Sequence, residues 1–277
     1  MFGSFIIVFR ETLEAALIVG IIAAATRGVP GRSYWISAGI AAGLLGSAFV
    51  AAATGSIAEM ASGLGQELFN AGVLGIAVLM LAWHNIWMSA HSRQLALNAS
   101  NTGQAISDGK RECSVLFAII ALAVLREGSE TALFLYGIAT AGGQNTQTML
   151  VGSVLGLACG VAVGWALYAG LLRIPLRWFF SVISVLVLLL AAGMASQAAR
   201  LLIQADVLPS LATPLWDSSG WLPPDSVLGT VLHGLAGYDA RPSGMQVVFF
   251  TVVGVAIVIG MKLTRHSPQP FRKQDHT

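Results

Sequence analysis

Arg10, Glu11 and Glu14 lie inside an apolar run over residues 2–25, and Arg126, Glu127 and Glu130 lie inside another over residues 113–138. Each set reads Arg-Glu-x-x-Glu. At about 1.5 Å of rise per helical residue, a position about ten residues into a spanning helix is near the bilayer midplane. One charge there costs roughly 2.5–3.5 kcal/mol, so three cost roughly 7–10 kcal/mol before compensation. On a helix, residues i and i+3 stand about 60° apart around the axis and about 4.5 Å along it. Glu11 and Glu14 therefore share a face, as do Glu127 and Glu130, and each Arg can pair with the Glu four residues on. Two such helices crossing at the midplane would gather four carboxylates and two guanidiniums, a formal sum of −2. That balance suits a small, hard cation held by oxygen, as facing Glu residues hold iron in di-iron helix bundles. A purely structural reading makes the charges a staple between helices. It accounts for Arg10 with Glu14 and Arg126 with Glu130, and leaves Glu11 and Glu127 without partners. The duplicated triple points to a transport site.

Weaker candidates surround this pair. His84 and Met88 stand four residues apart at the end of an apolar run, so both face one way. They could be a softer secondary contact for a metal, or simply the polar end of an interfacial aromatic belt formed with Trp83 and Trp87. Asp217, Asp225 and Asp239 fall in a long segment between apolar runs and could collect cations on approach, though ordinary solvated acids look the same. Cys113 and Cys159 have neither metal-ligand nor redox spacing. A membrane haem enzyme would need two axial His on facing helices, a pattern not found in the apolar runs.

The elements that must hold these residues are transmembrane helices. The 277-residue chain is 56% hydrophobic and only 10% charged, with a mean hydropathy of +0.76. Soluble domains carry nearer a quarter charged residues, so the expected fold class is an all-α integral membrane protein. No nucleic-acid partner is expected. Seven spans are read, at residues 2–25, 34–53, 68–88, 113–138, 149–172, 178–203 and 245–263. Turn chemistry at Arg27-Gly28-Val29-Pro30-Gly31, Gly63-Leu64-Gly65, Ala141-Gly142-Gly143 and Arg173-Ile174-Pro175 separates several of them. The polar stretch 91–112 is expected to form a surface helix, and the segment 204–244 a folded, re-entrant or surface-packed element.

Lys and Arg set the orientation. With the N-terminus outside, eleven of them fall on the inner side and only Arg200 and Arg241 outside, the other two being Arg10 and Arg126. The positive-inside rule then places the C-terminus in the cytoplasm. The chain also repeats itself. The first and fourth spans share the charged motif, and the second and fifth share a glycine-rich pattern, with Gly39, Gly43 and Gly46 against Gly152, Gly156 and Gly160. Three helices per unit is an odd number, so the second unit must enter the membrane inverted, which places a substrate site at the midplane between the two units. The expected organisation is one transmembrane domain over 1–277. It comprises repeat one (1–90), an inner linker (91–112), repeat two (113–203), an outer loop (204–244), a last helix (245–263) and a cytoplasmic tail (264–277).

Two Arg-Glu-x-x-Glu motifs in the first and fourth of seven helices resemble the oxidase-dependent iron permease family, over essentially the whole chain. Trp87-Met88 and the stretch Leu228-Gly229-Thr230 to Gly237-Tyr238 support the resemblance. It implies an iron permease, not an enzyme, of a bacterial inner membrane, in which Glu11, Glu14, Glu127 and Glu130 bind iron and Arg10 and Arg126 orient them. It also implies no cofactor beyond iron as substrate, and a periplasmic iron-binding, cupredoxin-like or oxidase or peroxidase-type partner. Thr12 and Ser129 depart from the usual motif interior, and His84-Asn85 stands where apolar residues are often found, so metal handling can differ in detail. A proton-coupled carrier of an organic solute, with the Glu cluster as a proton relay, is the alternative.

Overall fold

A computed structural model describes residues 1–61, 66–140, 145–170 and 176–266. The turns expected at residues 63–65, 141–143 and 173–175, and most of the expected tail, lie outside the described residues. The described residues form eight helices: α1 (Phe2–Ala25), α2 (Arg32–Ala61), α3 (Gln66–Ser107), α4 (Ser114–Thr140), α5 (Thr146–Tyr168), α6 (Leu176–Gln204), α7 (Val227–Ala236) and α8 (Gly244–His266). Five of these, α2, α3, α5, α6 and α8, contain stretches long and apolar enough to cross a membrane. α1 and α4 run for 24 and 27 residues and carry the two charged motifs. Large apolar side chains such as Leu45, Phe49, Leu79 and Trp83 point outward from the bundle. Lipid tails solvate such a surface, whereas the helices satisfy their own backbone polar groups. The protein is an integral, multi-pass, all-helical membrane protein.

Glycines set how closely the helices approach. α5 presents Gly156 and Gly160 to α1, where an added Cβ would stand 2.6 Å from the Phe5 carbonyl oxygen and 2.8 Å from Thr12 Cβ. α2 presents Gly39 and Gly43 to α4, where an added Cβ would stand 2.9 Å from the Phe117 carbonyl oxygen and 2.6 Å from Val124 Cβ. In both pairs the contacts advance together along the two chains, so α1 runs parallel to α5 and α2 parallel to α4. Small residues at these faces let backbones meet, which is how helices associate without a hydrophobic drive. α3 and α6 pack together beside the two pairs, and α8 covers both.

The charged motifs themselves take part in this packing. Thr12, inside the first motif, sits over Gly160 of α5, while Gly128, inside the second, sits against Ser47 of α2. The bulk is on opposite partners in the two pairs. Gly128→Thr should therefore collide with Ser47 and cost about 1–3 kcal/mol by overpacking. The double variant Gly128→Thr with Ser47→Gly should regain much of that in equilibrium unfolding in micelles. Additive losses in the double variant would show that the two residues are not in contact.

One expectation changes in detail. The stretch beginning at residue 91 is helical, but it continues α3 without a break rather than forming a separate surface helix. Ala99 and Ile106 of this extension pack with Ile22 of α1 and Leu116 and Ile120 of α4, and that apolar contact explains why the helix does not turn away. The segment between α6 and α8 is folded, as expected, around the short helix α7. Ser226 caps α7 by accepting from Gly229 N at 3.0 Å, and Gly237 ends it in the left-handed conformation, φ 63°. Gly237 there packs directly on Gly193 of α6.

Candidate metal centre

The local chemistry of each motif is the i,i+4 pair that the spacing allows. Arg10 Nε donates to Glu14 Oε1 at 3.0 Å, and Arg126 Nε donates to Glu130 Oε1 at 3.1 Å. Each Arg also reaches the Glu beside it. Arg10 Nη1 lies 3.4 Å from Glu11 Oε1, and Arg126 Nε lies 3.8 Å from Glu127 Oε1.

The packing of α1, α3 and α4 then brings the motifs together around one side chain. His84 of α3 stands between them, with Nε2 3.5 Å from Glu14 Oε2 and Nδ1 against Glu130 Oε2. Glu11, His84, Glu127 and Glu130 each offer a ligand atom, and these four atoms lie within 4.8 Å of one another. Glu14 stands just outside that set, on the far side of His84 and clamped by Arg10. One oxygen on each of the four Glu, and both ring nitrogens of His84, have no hydrogen bond of ordinary geometry among the described residues. Glu14 Oε2 and Glu130 Oε2 face the His84 ring, whereas Glu11 Oε2 and Glu127 Oε2 have no such partner among the described residues. Buried polar atoms are nearly all satisfied in native proteins, so these oxygens can accept a cation.

The two motifs are not equally enclosed. Arg10 is 4% exposed, whereas Arg126 is 41% exposed and rests on the Trp87 ring with its guanidinium carbon 4.9 Å from the centroid. Trp87 in turn stacks on His91 one turn further along α3. Next to His84, Asn85 Nδ2 donates to the Ser184 carbonyl of α6 at 3.0 Å and fixes this part of α3 against its neighbour.

The other sequence candidates sit elsewhere. Met88 is half-buried on α3, one turn beyond His84. Asp217 pairs with Arg241 Nε at 3.0 Å and accepts from Ser219 N at 2.9 Å. The Ser219 hydrogen bonds, and after them the Arg241 charge, hold the Asp217 carboxyl below its usual value. Asp239 accepts from Arg241 N at 3.0 Å, and Asp225 is exposed. Asp217 and Asp239 thus tie the loop to itself.

Sequence reasoning treated His84 as peripheral, because an aromatic-rich helix end explains a His equally well. The signal that could have raised it is position. On α3 it falls within the apolar run, where a lone ionisable residue needs a polar partner. Gln197, buried within α6 with both amide atoms unbonded among the described residues, was missed for want of any motif.

Residues 1–264 match the sequence model of the iron permease FTR1 family. The chain is 32% identical to the ferrous iron permease EfeU of Yersinia pestis over 265 residues, covering 94% of this chain and 93% of the relative. It is 34% identical to the ferrous iron permease EfeU of Escherichia coli O6:H1 (strain CFT073) over 271 residues, covering 95% and 96%. No solved structure matches.

Proposed function

This chain belongs to the iron permease FTR1 family, is a permease rather than an enzyme and moves iron across a membrane, and on that premise we propose that its two Arg-Glu-x-x-Glu motifs form the iron site. The observation that carries the proposal is the convergence of both motifs on one buried cluster, with ligand atoms of Glu11, Glu127, Glu130 and His84 within 4.8 Å. Glu14 borders the same space, and Arg10 and Arg126 orient the carboxylates. Oxygens from carboxylates suit iron in either common oxidation state, and the relatives are named for the ferrous ion. Donors this close together suit a single ion. Family membership favours iron over the solute carrier, in which the same Glu residues would only relay protons.

The proposed architecture is seven crossing helices, a 3+3 inverted repeat plus α8. Supporting it, the charged helix of each half packs on the glycine-bearing second helix of the other half, α1 with α5 and α4 with α2, each pair parallel. The exchange of bulk between Thr12 with Gly160 and Gly128 with Ser47 fits such a duplication. Orientation follows the positive-inside count, with the N-terminus periplasmic, the C-terminus cytoplasmic and iron moving inward across a bacterial inner membrane. A periplasmic iron-binding, cupredoxin-like or oxidase-type partner belongs to the same proposal and rests on the family resemblance.

Proteoliposomes with the purified full chain test it. Ferrous iron should enter in a saturable way, faster than zinc or manganese supplied alone at the same concentration. Absence of iron flux through correctly inserted protein, with flux of an organic solute instead, would overturn the reading.

A further inference from the structure

We propose that His84 is a direct ligand of the transported ion, so that the site is one imidazole nitrogen among carboxylate oxygens rather than an all-oxygen cage. This deepens the iron-permease reading and rests on it. Three observations carry the inference. His84 is buried between the two motifs and comes from α3, a helix that carries neither of them. Its ligand atom falls within the same 4.8 Å group as those of Glu11, Glu127 and Glu130. Its ring nitrogens face one carboxylate of each motif, Glu130 and Glu14, so the ring is held between the two motifs.

An imidazole has two nitrogens, and metal-bound His commonly uses both. One binds the ion while the other donates its N–H to a carboxylate or carbonyl, which fixes the ring and strengthens the ligand. Here Nε2 faces Glu14, whose other oxygen is held by Arg10 Nε at 3.0 Å. Glu14 lies outside the tight donor group, so it fits the supporting role, leaving Nδ1 beside Glu130 for the ion. Arg10, Glu14 and His84 then form one chain of contacts running from the first motif into the ion site. Asn85, bonded to the Ser184 carbonyl at 3.0 Å, and Trp87, under Arg126, hold α3 on either side.

The chemical consequence is selectivity. Carboxylate oxygens alone hold magnesium, calcium and manganese well, whereas an imidazole adds preference for ferrous iron and the later divalent ions. The site would thus take a borderline divalent cation.

Manganese provides the probe. Untagged full-length protein in nanodiscs is loaded with one equivalent of Mn²⁺ and read by pulsed electron paramagnetic resonance for coupling to a directly bound ¹⁴N. Wild-type protein should show that coupling, His91→Gln should keep it, and His84→Gln should lose it while still binding Mn²⁺. The affinity ratio of Zn²⁺ to Mn²⁺ should also fall about tenfold or more in His84→Gln, in the range typical of lost metal-site residues. If wild-type protein binds Mn²⁺ in a manner abolished by Glu127→Gln yet shows no nitrogen coupling, His84 is not a ligand while the carboxylate site stands. Nitrogen coupling that survives in His84→Gln equally refutes the assignment. Failure of wild-type protein to bind Mn²⁺, Zn²⁺ or Fe²⁺ with loss on Glu127→Gln would remove both readings together. Absence of nitrogen coupling in wild-type protein overturns the assignment whether or not the variant folds.

Discussion

Iron uptake by proteoliposomes should fall about a hundredfold or more when Glu127 becomes Gln, with the protein still folded and inserted. Residues that merely orient metal ligands cost roughly 10–100-fold when replaced, so a ligand itself should cost at least as much. Gln keeps the volume of Glu but removes the charge and turns an N–H₂ donor toward the cation. The fold has no comparable stake in this carboxylate. Glu127 is 4% exposed, one of its oxygens is unbonded among the described residues, and its own Arg126 stands 3.8 Å away. In a cluster of four carboxylates and two guanidiniums, neutralising one acid relieves repulsion between like charges. Equilibrium unfolding of Glu127→Gln should show unchanged or increased stability alongside lost transport, the signature of a site strained for function.

Glu14→Gln separates the roles further. Glu14 is paired with Arg10 at 3.0 Å and touches His84, so its replacement should damage both stability and uptake. Transport at the normal rate by inserted Glu127→Gln protein would remove Glu127 from the site and return both motifs to the status of helix staples.

The charged motifs were legible because helical geometry leaves little freedom. Arg10 with Glu14 and Arg126 with Glu130 form the i,i+4 pairs that spacing alone predicts. The glycine spacing of the second and fifth spans was legible as a pattern but not as a partnership. Periodicity shows that Gly156 and Gly43 line one face of a helix. It cannot show that the face meets α1 in one case and α4 in the other, because that choice is made by tertiary packing. His84 was read only as a possible secondary contact for the same reason: its partners Glu14 and Glu130 lie on two other helices, far away in sequence. The run of α3 to Ser107 was hidden because the residues after 90 are polar enough to suggest a separate element. What keeps them in line is the apolar contact of Ala99 and Ile106 with Ile22 and Leu116. The pairing of Asp217 with Arg241 was not legible either, since an Asp held by an Arg reads in sequence like one open to cations.

Replacing the two arginines should give unequal results, although the motifs are alike in sequence. Arg10→Gln leaves Glu11 and Glu14, 0% and 3% exposed, facing each other without their cation. Removing one partner of a buried ion pair typically costs about 3–5 kcal/mol, because the remaining charge is neither solvated nor paired. Arg126 is 41% exposed, and its pair with Glu130 is screened accordingly. Arg126→Gln should therefore cost about 1 kcal/mol or less from that pair, with a further modest loss from the contact with Trp87. Equilibrium unfolding in mixed micelles measures both. The double variant Arg10→Gln with Glu14→Gln identifies the cause. If the penalty comes from an uncompensated carboxylate, removing that charge should recover a large part of the stability lost in Arg10→Gln alone, while uptake stays abolished. If instead the double variant is less stable than either single one, Arg10 acts by packing α1 against its neighbours. Equal losses in Arg10→Gln and Arg126→Gln would contradict the unequal enclosure of the two motifs, and with it the view that only the Arg10 pair is sealed inside the protein.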